Sequence, residues 1–319
     1  WSCIQSKGDY FFMTVDLSIS LGDVSFKNPV FVASGTFGYG TETNDLVDVS
    51  QLGAIVTKSI TKHPREGNPP PRIVETPSGM INSIGLANIG VDKYIEKMIP
   101  VYENIGTQVI TNIAGFSIDD YLHVLEKLES SGGTVCGYEI NVSCPNVDTG
   151  RMEFSVDPKS TRELTKALRS ATKKLLILKL SPNVTDIGEI AAAAVEGGAD
   201  VLSAINTLFG MSIDPATRRP NVNTNIGGLS GPSIRPVGIA SVYKISKAVD
   251  VPIIGIGGIT SAKDVIEYLL AGASAVQVGT ANYRDAAIST RIINDLGTYC
   301  EENDIASICD LIGKVEPYD

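Results

Sequence analysis

Short runs of β-branched and other apolar residues recur eight times along this chain, separated by longer, more polar segments. Runs that are apolar at nearly every position predict strands that are buried on both faces, as in a parallel sheet covered by helices. The repetition therefore constrains the fold more than any other feature of the sequence. The predicted strands are residues 30–34, 54–59, 108–113, 138–143, 175–180, 200–206, 252–257 and 275–279.

Several segments between these runs have apolar residues spaced three and four positions apart and begin after Ser, Thr or Asp. This spacing and these start residues predict amphipathic helices. The clearest examples are "SIDDYLHVLEKLESS", "PKSTRELTKALRSATKK", "TDIGEIAAAAVEGG" and "SAKDVIEYLLAG". Eight strand–helix units without a low-complexity linker predict one α/β domain, a (β/α)8 TIM barrel, with a doubly wound sheet as the alternative.

Three further features complete the predicted domain. The stretch "LSISLGDVSFKNPV" alternates in polarity and predicts an N-terminal hairpin. The connections after the second and sixth strands, residues 60–90 and 207–236, are unusually long, and long barrel loops commonly build the site. We expect residues 13–319 to form the barrel, with Met13 as a natural start and residues 1–12 as an upstream or added segment.

Charge and cysteine content exclude several classes of function. A net charge of −10 with scattered Lys and Arg disfavours nucleic acid as a partner. No apolar run reaches the roughly 18 to 20 residues that span a bilayer, so we expect no membrane association. The five cysteines include no CxxC pair and the two histidines lie far apart, which supports neither a disulfide framework nor a metal site. A reducing cytoplasmic location fits best.

Polar residues stand near the carboxyl ends of the predicted strands, where barrel enzymes carry their catalytic groups. Lys58, Asn112, Asn141, Lys179 and Asn206 all occupy such positions. A single asparagine there often only caps a turn, but five amide and ammonium groups at separate strand ends would be costly to bury without partners. Since Asn offers both a donor and an acceptor, the set suits a flat heterocycle with alternating amide and carbonyl groups.

Small residues follow the seventh and eighth strands, in "GIGGI" and "VGTA". Barrels commonly bind phosphate at this position because backbone N–H groups can approach the anion closely. Either motif alone is equally consistent with a tight turn. Together with Lys179, which would stabilise an anionic reduced ring, they indicate flavin mononucleotide (FMN) as the cofactor.

Several longer motifs resemble those of the class 1 dihydroorotate dehydrogenases, and in particular class 1B. The resemblance extends from about residue 14 to the C-terminal region. It is carried by "ASGTFGYG", "TKS", "GNPPPRIVETPSGMINSIGLAN", "NVSCPN", "KLSPNVTDI", "INTLFGMSIDPATRRP", "GGLSGPSIRPV", "IIGIGGI" and "AGASAVQVGTANY".

The resemblance implies the residues of the site. FMN would contact Ser34, Lys58, Ser59, Asn112, Asn141, Lys179, Ile205, Gly231, Gly257, Gly258, Gly279 and Thr280. Dihydroorotate would contact Lys58, Asn82, Ser83, Ile84, Gly85, Leu86, Asn141, Asn206 and Thr207. In this family the cysteine of the "SCPN" loop is the catalytic base, which here is Cys144.

Cys144 follows a strand end in a polar loop, so its position differs from that of an ordinary buried thiol. A thiol, with an unperturbed pKa near 8.5, can be tuned toward the working pH by nearby cations and donors. We expect Cys144 to remove a proton from C5 of dihydroorotate while a hydride leaves C6 for the flavin. Cys136 and Cys309 are interpreted instead as small buried thiols.

The implied activity is the oxidation of dihydroorotate to orotate in pyrimidine (UMP) biosynthesis. In class 1B, a dimer of FMN subunits works with two partner subunits that carry FAD and a [2Fe–2S] cluster and reduce NAD. The alternatives are a fumarate-linked class 1A enzyme, a flavin-free phosphate-binding barrel isomerase or aldolase, and a non-catalytic ligand-binding barrel. The motifs "ASGTFGYG" and "GGLSGPSIRPV" favour class 1B over class 1A.

Overall fold

The structure is a computed structural model that describes residues 15–43, 45–143 and 154–318. The prediction for residues 1–12 lies outside the described residues. The described residues form sixteen strands: β1 (Ile19–Leu21), β2 (Val24–Phe26), β3 (Val30–Val32), β4 (Ala54–Val56), β5 (Ile73–Thr76), β6 (Gly79–Asn82), β7 (Gln108–Ala114), β8 (Gly137–Asn141), β9 (Leu175–Leu180), β10 (Val201–Ala204), β11 (Leu208–Gly210), β12 (Ile213–Asp214), β13 (Arg219–Pro220), β14 (Gly227–Ser230), β15 (Ile253–Ile256) and β16 (Ala275–Val278).

The helices of the described ranges lie mainly between the barrel strands. They are α1 (Val91–Lys97), α2 (Ile99–Tyr102), α3 (Ile118–Ser130), α4 (Pro158–Ala171), α5 (Ile187–Glu196), α6 (Arg235–Ala248), α7 (Ala262–Leu270), α8 (Ala281–Arg284) and α9 (Ile288–Glu302). No helix in this part of the chain has the length and hydropathy of a transmembrane span.

Eight of the strands close into a parallel barrel in the order β3, β4, β7, β8, β9, β10, β15, β16 and back to β3. Each coincides with one of the eight predicted runs, so the predicted (β/α)8 barrel is confirmed and the open doubly wound sheet is excluded. The strands β3, β4, β9, β10, β15 and β16 are buried at every position. Continuous burial explains why their sequences are apolar throughout rather than alternating.

The four helices predicted from amphipathic spacing are present as α3, α4, α5 and α7. Each begins after a side chain that accepts a hydrogen bond from a backbone N–H of the first turn, which satisfies one of the donors left free at a helix start. The capping residues are Ser117, Asp157, Asp186 and Ser261. These helices hold successive strands in parallel register by leading the chain back across the outside of the barrel.

The predicted N-terminal hairpin is confirmed as the antiparallel pair β1–β2. Its inner side chains, Leu21 and Phe26, are buried, and the Phe26 ring lies 4.8 Å from that of Phe31 in β3. A Cβ at Gly22 in its turn would contact Leu175, the first residue of β9. The hairpin therefore covers the amino end of the barrel, opposite the end where the predicted site residues lie.

The two long connections are not irregular loops. The first contributes β5 and β6 and the second contributes β11 and β14, and these strands pair in the antiparallel order β11–β14–β6–β5. We call this four-stranded unit the loop sheet. Its strands were not predicted, because they are short, three of the four contain glycine, and they pair between segments that are distant in the sequence. The loop sheet stands at the carboxyl ends of the barrel strands.

Candidate active site

The predicted site residues that the structure describes lie at one end of the barrel, because all eight barrel strands run in the same direction. Asn141 is the last residue of β8, Lys179 lies one position before the end of β9, and Asn206 follows β10 by two positions. Lys58 and Ser59 follow β4, and Ser34 follows β3. Among the hydrogen bonds of the described residues, none joins the Ser34 or Ser59 side chain to this group.

Two predicted substrate residues contact each other directly. Nδ2 of Asn206 donates a hydrogen bond of 3.0 Å to Oδ1 of Asn141, and Oδ1 of Asn206 accepts one of 2.9 Å from the Thr207 backbone N–H. Behind them, the Tyr121 hydroxyl donates to the Asn141 carbonyl at 2.7 Å. These bonds leave Nδ2 of Asn141 as a donor whose direction is fixed. The pair presents the oriented amide chemistry that a planar ligand with amide groups requires.

A buried carboxylate that the sequence analysis missed lies beneath these residues. Glu139 in β8 is fully buried and accepts hydrogen bonds from Asn112 Nδ2 at 2.7 Å, Ser203 Oγ at 2.9 Å and Gln277 Nε2 at 2.6 Å. The Lys179 ammonium lies 3.6 Å from its Oε1. The available signal was a lone glutamate inside an apolar strand run, which is rare unless the charge is paired.

Lys58 is partly buried where the barrel meets the loop sheet. Burial, and secondarily the positive charge of Arg72, hold its pKa below the ordinary lysine value, while the Glu42 carboxylate opposes this shift. Its backbone N–H donates to the Gly38 carbonyl at 2.9 Å, which ties it to the loop after β3. A cationic side chain in such a position can attract an anionic ligand with little competition from water.

The segment Asn82 to Leu86 leaves the loop sheet and reaches the same end of the barrel. Asn82 pairs with Gly228 in β14, and a Cβ at Gly228 would clash with Oγ1 of Thr207. Close packing between Gly228 and Thr207 therefore joins the loop sheet to the end of β10. Oγ of Ser83 is buried and has no hydrogen-bond partner among the described residues, which leaves it available to a ligand.

The glycines predicted to hold a phosphate also come together. Gly231 and Gly258 have positive φ angles of 97° and 70°, and a Cβ at Gly258 would lie 2.8 Å from the Gly231 carbonyl oxygen. Oγ1 of Thr280 lies 2.8 Å from Oγ of Ser230, so β14, β15 and β16 converge here. Below this loop, the Tyr268 hydroxyl donates to the Gly257 carbonyl at 2.8 Å and fixes the backbone. Small side chains at these positions allow an anion to approach the backbone.

This set of groups fits a flavin mononucleotide. Oδ1 of Asn112 is buried without a hydrogen-bond partner among the described residues, and an amide N–H of a flat ring would satisfy it. Lys179 in β9, two strands along the barrel, supplies a buried ammonium group. The glycine cluster at β14, β15 and β16 supplies the backbone approach that a phosphate needs. Ile205 follows β10 directly and is buried, as an apolar contact to a ring would require.

Cys144 lies outside the described residues, so its predicted role stays a prediction. Among the other thiols, burial raises the pKa of Cys136 to about 12, which makes it a poor base near neutral pH. Cys300 is buried, whereas Cys309 is exposed, so the interpretation of Cys309 as a buried thiol was wrong. Its Sγ lies 3.6 Å from the Ser18 carbonyl on the surface, near the N-terminal hairpin.

Comparison with known proteins decides the family. The family model described as dihydroorotate dehydrogenase matches residues 16–299. The chain belongs to the dihydroorotate dehydrogenase family. The resemblance seen in the sequence motifs is therefore confirmed.

Two relatives carry a more specific name, "Dihydroorotate dehydrogenase B (NAD(+)), catalytic subunit". The protein from Bacteroides thetaiotaomicron is 48% identical over 301 residues, covering 94% of this chain and 99% of the relative. The protein from Geotalea uraniireducens is 49% identical over 300 residues, covering 94% and 98%. A crystal structure of DHODH from Eimeria tenella in complex with ferulenol has a TM-score of 0.79 at 24% identity, covering 96% of this chain and 90% of that chain. At that identity the likeness concerns the fold alone.

Proposed function

We propose that this chain is the catalytic subunit of an NAD-linked dihydroorotate dehydrogenase, which oxidises (S)-dihydroorotate to orotate in pyrimidine (UMP) biosynthesis. The observation that carries the proposal is the contact between Asn206 Nδ2 and Asn141 Oδ1 at 3.0 Å, at the same barrel end as two lysines. Oriented amides suit the ring amides of dihydroorotate, and an ammonium group suits its carboxylate. The names of the relatives support the same substrate.

FMN is the proposed cofactor, held by the residues that match the family motifs. These are Ser34, Lys58, Ser59, Asn112, Asn141, Lys179, Ile205, Gly231, Gly257, Gly258, Gly279 and Thr280. When bound, FMN would supply the acceptor for the hydride that leaves C6 of dihydroorotate. The buried Lys179 ammonium would compensate negative charge next to the ring, and the backbone of the glycine cluster would receive the phosphate.

The substrate would lie between the barrel end and the loop sheet. Lys58 would attract its carboxylate, Asn141 and Asn206 would orient the ring, and the segment Asn82 to Leu86 would cover it. Cys144 would take the C5 proton on its thiolate Sγ as the C5–C6 double bond forms. This role of Cys144 follows from the sequence motif alone.

Class 1B is the proposed subtype. The words "NAD(+)" and "catalytic subunit" in the names of the relatives favour a separate electron-transfer partner over fumarate-linked class 1A. We infer a dimer of this chain with two partner subunits that carry FAD and a [2Fe–2S] cluster and reduce NAD. Use of NAD suits a cytoplasmic enzyme. Family membership favours this oxidoreductase over a flavin-free barrel isomerase or aldolase.

The first test is a visible spectrum of the purified chain before and after anaerobic addition of dihydroorotate. We expect flavin bands that bleach on addition, followed by reoxidation with NAD only when the partner subunit is present. Fumarate turnover by the lone chain would instead indicate class 1A. A colourless chain that cannot be reconstituted with FMN would overturn the proposal.

The role of Cys144 is tested by Cys144→Ser, with Cys309→Ser as the matched control because Cys309 is an exposed thiol. Cys144→Ser should slow flavin reduction by about 100-fold or more, as expected for loss of a general base, while FMN stays bound. In the Cys309→Ser variant, dihydroorotate should reduce the flavin at the wild-type rate. A wild-type rate in Cys144→Ser would refute the assignment.

A further inference from the structure

The barrel interior holds a carboxylate that the proposed reaction does not use. Glu139 is fully buried, and its nearest polar groups come from four other barrel strands: Asn112, Lys179, Ser203 and Gln277. Three of these donate hydrogen bonds to its two oxygens, and the fourth is an ammonium group. An acceptor surrounded only by donors is best matched by the ionised carboxylate. A buried ion pair adds little to stability compared with apolar packing, so a purely structural role explains it poorly.

Glu139 and Lys179 form an ion pair that is longer than a hydrogen bond. At 3.6 Å, Nζ of Lys179 and Oε1 of Glu139 form an ion pair, but the separation exceeds that of a good N–H···O hydrogen bond. The carboxylate therefore compensates the ammonium charge without capturing its N–H donors in a short bond. Those donors stay available for a ligand at the barrel end.

The contact with Asn112 has a second consequence. Oε1 of Glu139 accepts from Nδ2 of Asn112, which turns the amide so that Oδ1 is the end directed away from the carboxylate. That Oδ1 is buried and has no hydrogen-bond partner among the described residues. One carboxylate oxygen thus fixes an acceptor on β7 and a cation on β9. Its other oxygen is anchored by Ser203 and Gln277.

We propose that Glu139 is a positioning residue for the cofactor site, which orients Asn112 and Lys179 and keeps the reduction potential of bound FMN lower than a neutral residue would. This inference rests on the proposed FMN-dependent function. The sign follows from electrostatics, because a negative charge held near the ring opposes the addition of electrons to it and offsets the effect of Lys179. Glu139 itself would not contact the substrate.

The test is Glu139→Gln, which keeps the size of the side chain and removes its charge. Equilibrium reduction against a reference dye should show a reduced-to-oxidised ratio about tenfold higher than wild type at the same applied potential, or about 30 mV for a two-electron couple. A protein that binds FMN with the wild-type potential would overturn the proposal. Glu139→Asp, which keeps the charge, should return the ratio toward the wild-type value, and failure to do so would also count against it.

A second variant keeps the proposal testable if Glu139→Gln does not fold. Ser203→Ala removes one donor to Oε2 and leaves the carboxylate in place. With its charge less well compensated, the ratio of reduced to oxidised FMN should fall below that of wild type. An unchanged ratio would contradict the proposal.

A measurement without FMN separates this inference from the proposed function. Thermal unfolding of the cofactor-free chain is compared for wild type, Glu139→Gln, Lys179→Met and the double variant. We expect the double variant to lose less stability than the sum of the single losses, because each single change leaves an unpaired buried group. Additive losses would overturn the inference even if FMN binds, whereas failure of wild type to bind FMN would overturn the proposed function alone.

Discussion

The barrel interior and the loop sheet are both built from β-strands, but they differ in what stabilises them. In β9 all six residues are buried, and the strand pairs on both sides. In β5 the residues alternate between exposed and partly buried, and the strand lies at the edge of its sheet. Only Ile81 and Gly227 are buried within the strands of the loop sheet. The barrel combines backbone pairing with extensive side-chain packing, whereas the loop sheet depends mainly on backbone pairing.

This difference in packing suits the two sides of the proposed site, the cofactor side in the barrel and the substrate side at the loop sheet. The barrel can hold a buried charge such as Glu139 because closed, close-packed strands fix every partner around it. The loop sheet carries the segment Asn82 to Leu86, and a unit with few buried apolar contacts can open at low energetic cost. We therefore expect the cofactor side of the site to be rigid and the substrate side to be adaptable. Matched isoleucine substitutions test this contrast.

The largest effect is expected from Ile110→Ala in β7, where the side chain is 0% exposed. Loss of its buried methyl and methylene groups should reduce the free energy of unfolding by about 2–5 kcal/mol. Denaturant unfolding followed by circular dichroism measures the change. A loss below about 1 kcal/mol would show that the barrel interior can relax around the gap and is no more rigid than the loop sheet.

The next effect concerns Lys58, which lies at the boundary between the two regions. Because burial and Arg72 lower its pKa, its ammonium charge is present at low pH and is lost on raising the pH at a lower value than for an ordinary lysine. The affinity for dihydroorotate should therefore fall by about tenfold per pH unit above that lowered pKa. Binding titrations across the alkaline range measure this decline.

Two variants sharpen this prediction. Arg72→Gln removes the neighbouring positive charge and should move the decline to higher pH. Lys58→Arg keeps a charge throughout the range, so its affinity, whatever its absolute value, should not decline there. A decline at the same pH in both variants would mean that another group is responsible.

A smaller effect is expected from Ile81→Ala in β6, where the side chain is 3% exposed. Local opening of the loop sheet should absorb much of the change, so the barrel should lose only about 1 kcal/mol or less. Because Ile81 precedes Asn82, the KM for dihydroorotate should rise about threefold to tenfold with little change in FMN binding. Steady-state kinetics and flavin content together measure it, and a loss as large as that of Ile110→Ala would remove the distinction between the regions.

The smallest effect is expected from Ile73→Ala in β5, where the side chain is 48% exposed. Little apolar area is lost from contact, so stability should stay within about 0.5 kcal/mol of wild type. KM should also be unchanged, which makes this variant the control for Ile81→Ala. A rise in KM would show that the outer edge of the loop sheet takes part in substrate binding.

Much of the fold could be predicted from the sequence. The strand run at residues 175–180 matches β9, and the helix predicted from "SIDDYLHVLEKLESS" matches α3. Both signals are local, because strand burial and helix spacing leave a periodic pattern in consecutive residues. The loop sheet could not be predicted in this way. Its strands β6 and β14 are short and pair across almost 150 positions, as the hydrogen bond between Asn82 and Gly228 shows.

The functional site likewise has features that local sequence predicts and features that depend on contacts between distant residues. Sequence alone determined the family, and it predicted that Asn141, Lys179 and Asn206 lie together at strand ends, since parallel strands bring their carboxyl ends together in any closed barrel. Only the tertiary structure decided that Glu139 contacts Gln277, 138 positions away, and that Lys58 is partly buried near Arg72. The physical reason is that periodicity records which face of an element is buried. The partner that a buried charge contacts depends on strand register, which local sequence does not encode.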